Sequence, residues 1–261
     1  MSGAALEIEG LGMRFGGFSA LVDVSVAIAP GTTTAVIGPN GAGKTTLLNC
    51  VCGTYRPTAG SIRWAGERIH GLRPHRIAAR GVARTFQGVE QFRAMTAIDL
   101  ALMGRHQQFR SRMVEAALRL PRSGAEERRH RAAAEAILAR LGIGGTASRS
   151  LETLPYAVRK LADLARALCS QPRLLLLYEP SAGMGPGEKA FLHAALRELR
   201  GECFETLVVV DHDIQFIQGL CEQTVVLDFG RLIAHGRTAE VLGQRQVVEA
   251  YLGVAVRRQD G

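Results

Sequence analysis

The stretch Gly38-Pro39-Asn40-Gly41-Ala42-Gly43-Lys44-Thr45 is the most informative part of this 261-residue sequence. Two glycines separated by four residues and followed by Lys and Thr form the pattern of a phosphate-binding loop, or P-loop. Residues 32–37 before it are apolar and β-branched, which predicts a buried strand. Residues 45–51 after it have the pattern of a helix. A strand, a glycine-rich loop and a helix in this order predict a nucleotide-binding site.

The residue types in this loop suit a bound phosphate chain. Glycines let the backbone bend so that its N–H groups face the phosphates, and the N-terminus of the following helix favours anions. We expect Lys44 to reach the β- and γ-phosphates and the Thr45 hydroxyl to ligate Mg²⁺. The residues predicted to bind ATP are Gly38, Pro39, Asn40, Gly41, Ala42, Gly43, Lys44, Thr45 and Thr46.

Strand-like and helix-like segments alternate on both sides of the chain's middle. The continuous apolar runs 174–177 and 207–210 each end in charged residues, and a helix-forming stretch, 187–200, lies between them. Shorter strand-like pieces occur at 6–9, 24–28 and 61–64. This alternation predicts an α/β fold with a mainly parallel sheet, and the chain length suits one domain over 1–261.

From about 96 to 168 the pattern becomes helical. Thr96 with Asp99, and Ser123 with Glu126, fit the capping pairs that begin helices. We therefore predict a helical insertion, at about 96–168, within the α/β core.

Composition excludes several classes of protein. Hydrophobic residues make up 47% of the chain, which is typical of a globular protein, yet no apolar run approaches the roughly 18 residues of a membrane span. The first nine residues lack the features of a signal peptide, so we expect a cytoplasmic location. The net charge of +8 comes from scattered arginines, and the densest group, 128–131, reads as a solvated helix face. We expect no nucleic-acid partner, and we interpret the five cysteines as buried free thiols.

Polar residues follow the strand-like runs at informative distances from the loop. Gln87 closes the strand-like segment 82–86, and Glu179 follows the apolar run at 174–177. His212 follows the run at 207–210. Each of these could be a surface or capping group on its own, but their order relative to the P-loop is unlike a chance arrangement.

With these positions, the chain resembles an ABC ATPase over residues 6–253. The loop matches the Walker A motif, Gln87 matches the Q-loop, and His212 matches the H-loop. Leu154-Pro155-Tyr156-Ala157-Val158 falls at the signature motif, residues 174–179 at Walker B, and Ser181-Ala182-Gly183-Met184 at the D-loop. Phe15 stands where the family places an aromatic ring against adenine. Ala83-Arg84-Thr85-Phe86-Gln87 and the ending Ala250-Tyr251-Leu252-Gly253 resemble ATPases of branched-chain amino acid importers.

The resemblance implies a P-loop NTPase core, an N-terminal antiparallel β part and ATP bound with Mg²⁺ between two ATPase domains. Glu179 would polarise the attacking water, His212 would hold the γ-phosphate, and Gln87 would contact Mg²⁺ or the water. The implied partners are integral membrane permease subunits, a second ABC ATPase subunit and, indirectly, a periplasmic or extracellular solute-binding protein. The chain would then be peripheral on the inner face of the cell membrane.

The chain departs from the family pattern at the positions that serve hydrolysis. Tyr178 stands where Walker B has Asp, and a phenol cannot replace a carboxylate that orders Mg²⁺ and its water shell. In the signature, Pro155 replaces a small residue, Ala157 replaces Gly and Val158 replaces a polar residue. Gly185 stands where the D-loop often carries Asp or Asn. A hydrolysis-poor half of a two-ATPase heterodimer is therefore an alternative, as is a non-transport ABC ATPase of DNA repair or translation.

Other residues have less specific patterns. Asp228-Phe229-Gly230 lies between two strand-like pieces and predicts a hairpin turn. His106 and His130 have no paired metal ligands in the sequence, and we predict a surface position for both. Asp211 and Asp213 flank His212, where they could orient its imidazole.

Overall fold

Two β-sheets and the helices around them make up this computed structural model, which describes residues 5–108 and 121–257. The strands are β1 (Leu6–Phe15), β2 (Phe18–Ile28), β3 (Thr33–Ile37), β4 (Ala59–Trp64), β5 (Glu67–Arg68), β6 (Val82–Arg84), β7 (Leu174–Tyr178), β8 (Thr206–Val210), β9 (Gln223–Asp228) and β10 (Arg231–Arg237). The helices are α1 (Lys44–Val51), α2 (Pro74–Ala78), α3 (Ala97–Met103), α4 (Pro121–Arg140), α5 (Tyr156–Cys169), α6 (Pro186–Leu199), α7 (Ile214–Leu220), α8 (Thr238–Leu242) and α9 (Arg245–Arg257).

The larger sheet has six strands in the order β10-β9-β3-β8-β7-β6. The neighbouring strands β9, β3, β8, β7 and β6 pair in parallel. The edge strand β10 pairs antiparallel with β9. The smaller sheet, in the order β2-β1-β4-β5, is antiparallel throughout. The predicted fold class, a mainly parallel α/β core with an N-terminal antiparallel part, is therefore confirmed.

The central strands β3, β7 and β8 are buried on both faces because nearly all of their residues are apolar or β-branched. Successive side chains of a strand point to opposite faces, so each strand contributes to two core regions. Val36, Leu176 and Val208 pack between the two sheets, where Leu47 and Leu48 of α1 join them. The alternate residues of the same strands pack on the other face, against the helices. This arrangement holds the carboxyl ends of β3, β7 and β8 side by side.

Within the described residues between Ala97 and Cys169 lie helices α3, α4 and α5. Thr96 and Asp99 form the predicted capping box at the start of α3. The prediction that Ser123 begins a helix is wrong, because α4 already includes Pro121. The helical insertion at about 96–168 stays a prediction, and its residues 109–120 lie outside the described part of the chain.

The prediction of a surface position holds for His106, which is exposed, but is wrong for His130. The His130 side chain is 1% exposed, and its Nδ1 accepts a hydrogen bond of 2.8 Å from Arg105 Nε. It is buried because α4 packs against α3 and α5, which its own helical pattern did not reveal.

Several smaller predictions are confirmed. Asp228 pairs with Arg231 across an antiparallel hairpin, and Phe229 and Gly230 form the turn. All cysteines are free thiols, and all are buried except Cys203, which is half-buried. Within residues 5–108 and 121–257, no helix combines the length and hydropathy needed to cross a membrane.

Candidate nucleotide site

The P-loop between β3 and α1 is bent at glycines that no other residue could replace without strain. Gly38 has φ of 149°, and a Cβ there would lie 2.0 Å from the Leu227 carbonyl oxygen. Gly43 has φ of 99°, and a Cβ would lie 2.7 Å from the Ala20 carbonyl oxygen. Both distances are far below van der Waals contact, so the loop is held tightly between β9 and β2.

Lys44 lies over this loop. Its Nζ donates to the carbonyl oxygens of Gly38 and Pro39, each at 2.7 Å. Burial lowers the pKa of the Lys44 ammonium, and the nearby Glu179 carboxylate opposes that shift. The first turn of α1 contains no acid, and the first N–H groups of a helix have no partner within the helix. These groups and the Lys44 charge fit the phosphates of a nucleotide.

The Tyr178 hydroxyl lies beside two residues that were predicted to bind Mg²⁺. The Thr45 hydroxyl donates to the phenol oxygen at 3.1 Å, and Gln87 Nε2 donates to the same oxygen at 3.4 Å. Tyr178 itself ends β7, where its N–H donates to Thr85 Oγ1 at 3.0 Å. Burial raises the pKa of the Tyr178 phenol, the Thr45 hydrogen bond opposes this, and the hydroxyl is neutral at physiological pH.

The Mg²⁺ ligand set implied by the family lacks its carboxylate in this arrangement. Mg²⁺ prefers anionic and neutral oxygens in an octahedral set, commonly with one or two carboxylates. Here the Thr45 hydroxyl and Gln87 Nε2 both donate to the neutral phenol oxygen of Tyr178, so this oxygen, and not a carboxylate, lies between them. Across the described ranges, no group of three or more His, Cys, Asp or Glu side chains is arranged to hold a metal ion. The loop therefore fits a nucleotide, whereas the place between Thr45 and Gln87 lacks the carboxylate that Mg²⁺ commonly has.

Glu179 and His212 meet at the ends of the adjacent strands β7 and β8. The distance from Glu179 Oε1 to His212 Nδ1 is 3.8 Å. Glu179 adopts a positive φ of 44°, and its N–H donates to the Val210 carbonyl oxygen at 2.6 Å. Its own carbonyl accepts a hydrogen bond from Lys160 Nζ. The strained backbone thus turns the carboxylate away from the strand direction and towards the imidazole.

Asp211 organises the backbone around His212. Its carboxylate is 1% exposed and accepts hydrogen bonds from the N–H groups of His212 at 2.8 Å, Asp213 at 3.0 Å and Ser181 at 3.0 Å. One buried carboxylate therefore joins the H-loop to the D-loop segment. Asp213 instead accepts from the Phe216 N–H at the start of α7 and pairs with Lys189 at 2.6 Å.

Phe15 lies at the end of β1, with its ring 43% exposed. It packs edge-on against Tyr55, and the two ring centroids are 5.2 Å apart. Tyr55 follows α1, and its N–H donates to the Asn49 carbonyl oxygen. An exposed aromatic ring is thus fixed beside the end of the P-loop helix, and it is available to stack on a flat ligand group.

The signature segment begins α5. Pro155 is the residue before the helix, one position earlier than the first turn, and its carbonyl accepts from the Arg159 N–H at 3.1 Å. Ala157 is 6% exposed and packs in the core, so its methyl group does not project into a phosphate site on this chain's surface. Tyr156 is 40% exposed and packs closely on Gly183 of the D-loop segment.

Asp163 and Arg166 of α5 were missed by the sequence analysis. The Phe86 N–H, next to Gln87, donates to Asp163 Oδ2 at 2.6 Å, and Arg166 Nη2 donates to the Arg84 carbonyl oxygen at 2.6 Å. Arg166 also pairs with Asp163 at 2.7 Å. Burial raises the pKa of Asp163, and Arg166 opposes that shift. Opposite charges three residues apart on a helix were the available signal, and these residues join the signature helix to the Q-loop.

A P-loop on a mainly parallel sheet, followed by a Glu and a His at adjacent strand ends, defines a nucleotide-binding protein of the P-loop class. A family model described as ABC transporter matches residues 21–182. The chain belongs to the ABC transporter family. The resemblance inferred from the motifs is thereby confirmed, and proteins of this family bind nucleotide, generally with Mg²⁺.

The chain is similar to ATP-binding proteins of amino-acid transport along its whole length. It is 37% identical over 255 residues to the high-affinity branched-chain amino acid transport ATP-binding protein BraF of Pseudomonas aeruginosa, covering 98% of this chain and 100% of BraF. It is 37% identical over 257 residues to LivG of Escherichia coli K12, a protein of the same description, with coverage of 98% and 100%.

Solved structures agree with this placement. A nucleotide-free ATP-binding cassette from an ABC transporter matches with a TM-score of 0.83 at 27% identity, covering 95% of this chain and 98% of the other. The ADP conformation of MJ1267, an ATP-binding cassette of an ABC transporter, matches with a TM-score of 0.82 at 27% identity, covering 96% and 99%.

Proposed function

We propose that this chain is the ATP-binding subunit of an ABC importer, which couples ATP binding and hydrolysis to uptake of branched-chain amino acids or related small organic solutes. The observation that carries the proposal is the Lys44-covered P-loop, with Glu179 and His212 at neighbouring strand ends. The substrate class follows from full-length similarity to BraF and LivG. Relatives named for transport favour this function over DNA repair or translation.

The roles proposed for individual residues follow from their positions. The loop N–H groups and Lys44 bind the phosphates, and Phe15 contacts the adenine. Glu179 acts as general base on the attacking water, and His212 contacts the γ-phosphate. Gln87 couples nucleotide binding to the membrane partner. Its neighbour Phe86 donates a backbone hydrogen bond to Asp163 of the signature helix, α5.

The partners proposed are integral membrane permease subunits and a second ABC ATPase subunit, with a periplasmic or extracellular solute-binding protein acting indirectly. The Gln87 loop and the helices from Ala97 to Cys169 would dock a permease at the inner face of the cell membrane. Tyr178 and Pro155 favour a heterodimer in which this chain hydrolyses ATP poorly and its partner supplies most of the turnover.

Membrane recruitment tests the proposal. We expect the chain to sediment with membranes when permease subunits of branched-chain amino acid importers from the same source are co-expressed, and to remain in the supernatant without them. Cysteine cross-linking from residues 88–92 to permease loops should give a specific product, whereas a cysteine at Val248, on the exposed side of α9, should give none. A chain that never joins the membrane with its permeases present would refute the importer assignment.

A further inference from the structure

The phenol oxygen of Tyr178 takes the place between Thr45 and Gln87. The distances are 3.1 Å to Thr45 Oγ1 and 3.4 Å to Gln87 Nε2, and both side chains donate to the one oxygen. The backbone of Tyr178 is anchored, because it ends β7 and its N–H donates to Thr85 Oγ1, and its partly buried side chain packs against the core between the sheets. Moving the hydroxyl aside would require both hydrogen bonds to break and a half-buried ring to rotate. The hydroxyl is therefore a fixed part of the site.

The charges around Tyr178 disfavour a divalent cation. Lys44 lies over the loop, and Arg84 is close enough to Tyr178 to act on it electrostatically. Glu179 is the acid that acts on both Lys44 and Tyr178, and its own carbonyl accepts from Lys160. Asp211 acts on Lys160, and Asp163 lies near Arg84. Lys44 is therefore the cation that a carboxylate at position 178 would face and that a neutral phenol does not balance. The phenol supplies none of the negative charge that would hold a divalent cation there, whereas Lys44 still attracts a polyanion.

We propose that this P-loop takes ATP or ADP free of divalent cation, with the Tyr178 hydroxyl standing where the cation would otherwise bind. The inference rests on the proposed nucleotide site and specifies the form of its ligand. Uncomplexed nucleotide brings no divalent cation that needs a carboxylate at position 178, so it suits the neutral phenol and the Lys44 charge. Thr45 then holds the Tyr178 hydroxyl in place by its hydrogen bond and does not act as a metal ligand.

Calorimetric titration of the full chain with ATP, in EDTA and in excess Mg²⁺, tests the proposal. We expect the apparent affinity to be about threefold or more higher in EDTA, because Mg²⁺ sequesters the uncomplexed nucleotide. An affinity that differs by less than threefold, or that is higher in Mg²⁺, would overturn the inference.

The variant Tyr178→Asp should reverse this preference, with ATP binding more tightly in Mg²⁺ than in EDTA. Val248→Asp adds a carboxylate at an exposed position of α9 and should keep the order seen in the unmodified chain, which controls for net charge. If Tyr178→Asp still prefers uncomplexed ATP, Tyr178 does not set the preference and the inference fails.

Thr45→Ala provides a second test that does not depend on the folding of the Asp variant. A metal ligand would matter only when Mg²⁺ is present. We expect Thr45→Ala to change ATP affinity by the same factor in EDTA and in Mg²⁺. A reduction of ATP affinity that occurs only in Mg²⁺ would contradict the inference. Lys44→Ala should weaken ATP binding in both buffers. If the unmodified chain binds ATP in neither buffer, the proposed nucleotide site itself is wrong. If it binds ATP but without a preference for EDTA, only the inference about cation-free nucleotide is wrong.

Discussion

The Tyr251 phenol oxygen accepts a hydrogen bond from the Gly38 N–H at 2.9 Å, which ties the last helix to the first residue of the P-loop. The two residues are 213 positions apart in the chain. Burial raises the pKa of the Tyr251 phenol, with the Gly38 N–H opposing, so the oxygen stays protonated. The Gly38 carbonyl oxygen also accepts a hydrogen bond from Lys44 Nζ. Gly38 therefore links helix α9 to the lysine that covers the P-loop.

Tyr251→Phe should therefore loosen the loop while keeping the ring. It leaves the buried Gly38 N–H without its partner, which costs about 1–3 kcal/mol. We expect a lower midpoint of urea unfolding and an ATP affinity reduced by up to about tenfold. Gln246→Ala is the matched control, because it removes a bond between α9 and the Ile233 carbonyl without touching the loop. Equal nucleotide affinities in Tyr251→Phe and the unmodified chain would contradict the expectation.

Lys44→Ala should reduce ATP affinity by roughly ten- to a hundredfold. The change removes a charge-assisted contact worth about 1.5–3 kcal/mol, and the loop carbonyls of Gly38 and Pro39 lose their donor. Isothermal titration calorimetry measures the effect directly. Lys189→Ala, which removes a lysine paired with Asp213, should bind ATP within about twofold of the unmodified chain. Unchanged affinity in Lys44→Ala would refute the P-loop assignment.

Tyr178→Asp should raise phosphate release in the presence of Mg²⁺. The unmodified chain is expected to turn ATP over slowly because position 178 offers a neutral phenol, whereas a carboxylate is a preferred Mg²⁺ ligand. A contact of this type is worth about 1.5–3 kcal/mol, so a gain of about tenfold is expected. Glu179→Gln serves as the blank. Robust release by the unmodified chain, with no gain from Tyr178→Asp, would show that the substitution has little effect.

Adding Pro155→Ser should increase that rate further. Serine at the position before α5 can accept from a free N–H of the helix, and it supplies the hydroxyl that proline lacks. Ala157→Gly is expected to help less, because the Ala157 methyl group is buried in the core and its loss weakens the helix. The double variant Tyr178→Asp with Pro155→Ser is therefore the informative comparison, measured by the same phosphate assay.

Asp213→Asn should lower stability at neutral pH but have little effect in acid. Lys189 and the Phe216 N–H lower the pKa of Asp213 below its unfolded value. The stabilisation is therefore complete above the unfolded pKa of about 3.9 and is lost as the pH falls through the lower folded pKa. Asparagine keeps the cap at α7, so the change isolates the ion pair, worth at most about 1 kcal/mol.

Urea unfolding of Asp213→Asn and of the unmodified chain, at pH 7 and below pH 4, measures this difference in the free energy of unfolding. The double variant with Lys189→Ala should show no further loss from Asp213→Asn, because the partner is already absent. A difference between Asp213→Asn and the unmodified chain that grows as the pH falls would run against this assignment.

Local sequence patterns were sufficient for the P-loop and the strands that position it. The β-branched and apolar run before Gly38 is typical of a buried strand, and the structure has β3 there with every residue buried. Thr96 and Asp99 form their capping box because both partners lie within one turn of α3. Such features depend on neighbouring residues, so periodicity and residue type were enough to predict them.

Contacts between distant segments needed the folded chain. Thr45 and Tyr178 are 133 positions apart, and their contact arises because β3 and β7 both pair with β8 in the parallel sheet. His130 was misplaced for a related reason, since its burial depends on helices α3 and α5 and not on its own helix. The identity of Tyr178 could be read from the sequence, but the position of its hydroxyl between two other side chains is a property of strand register and packing, which no local pattern encodes.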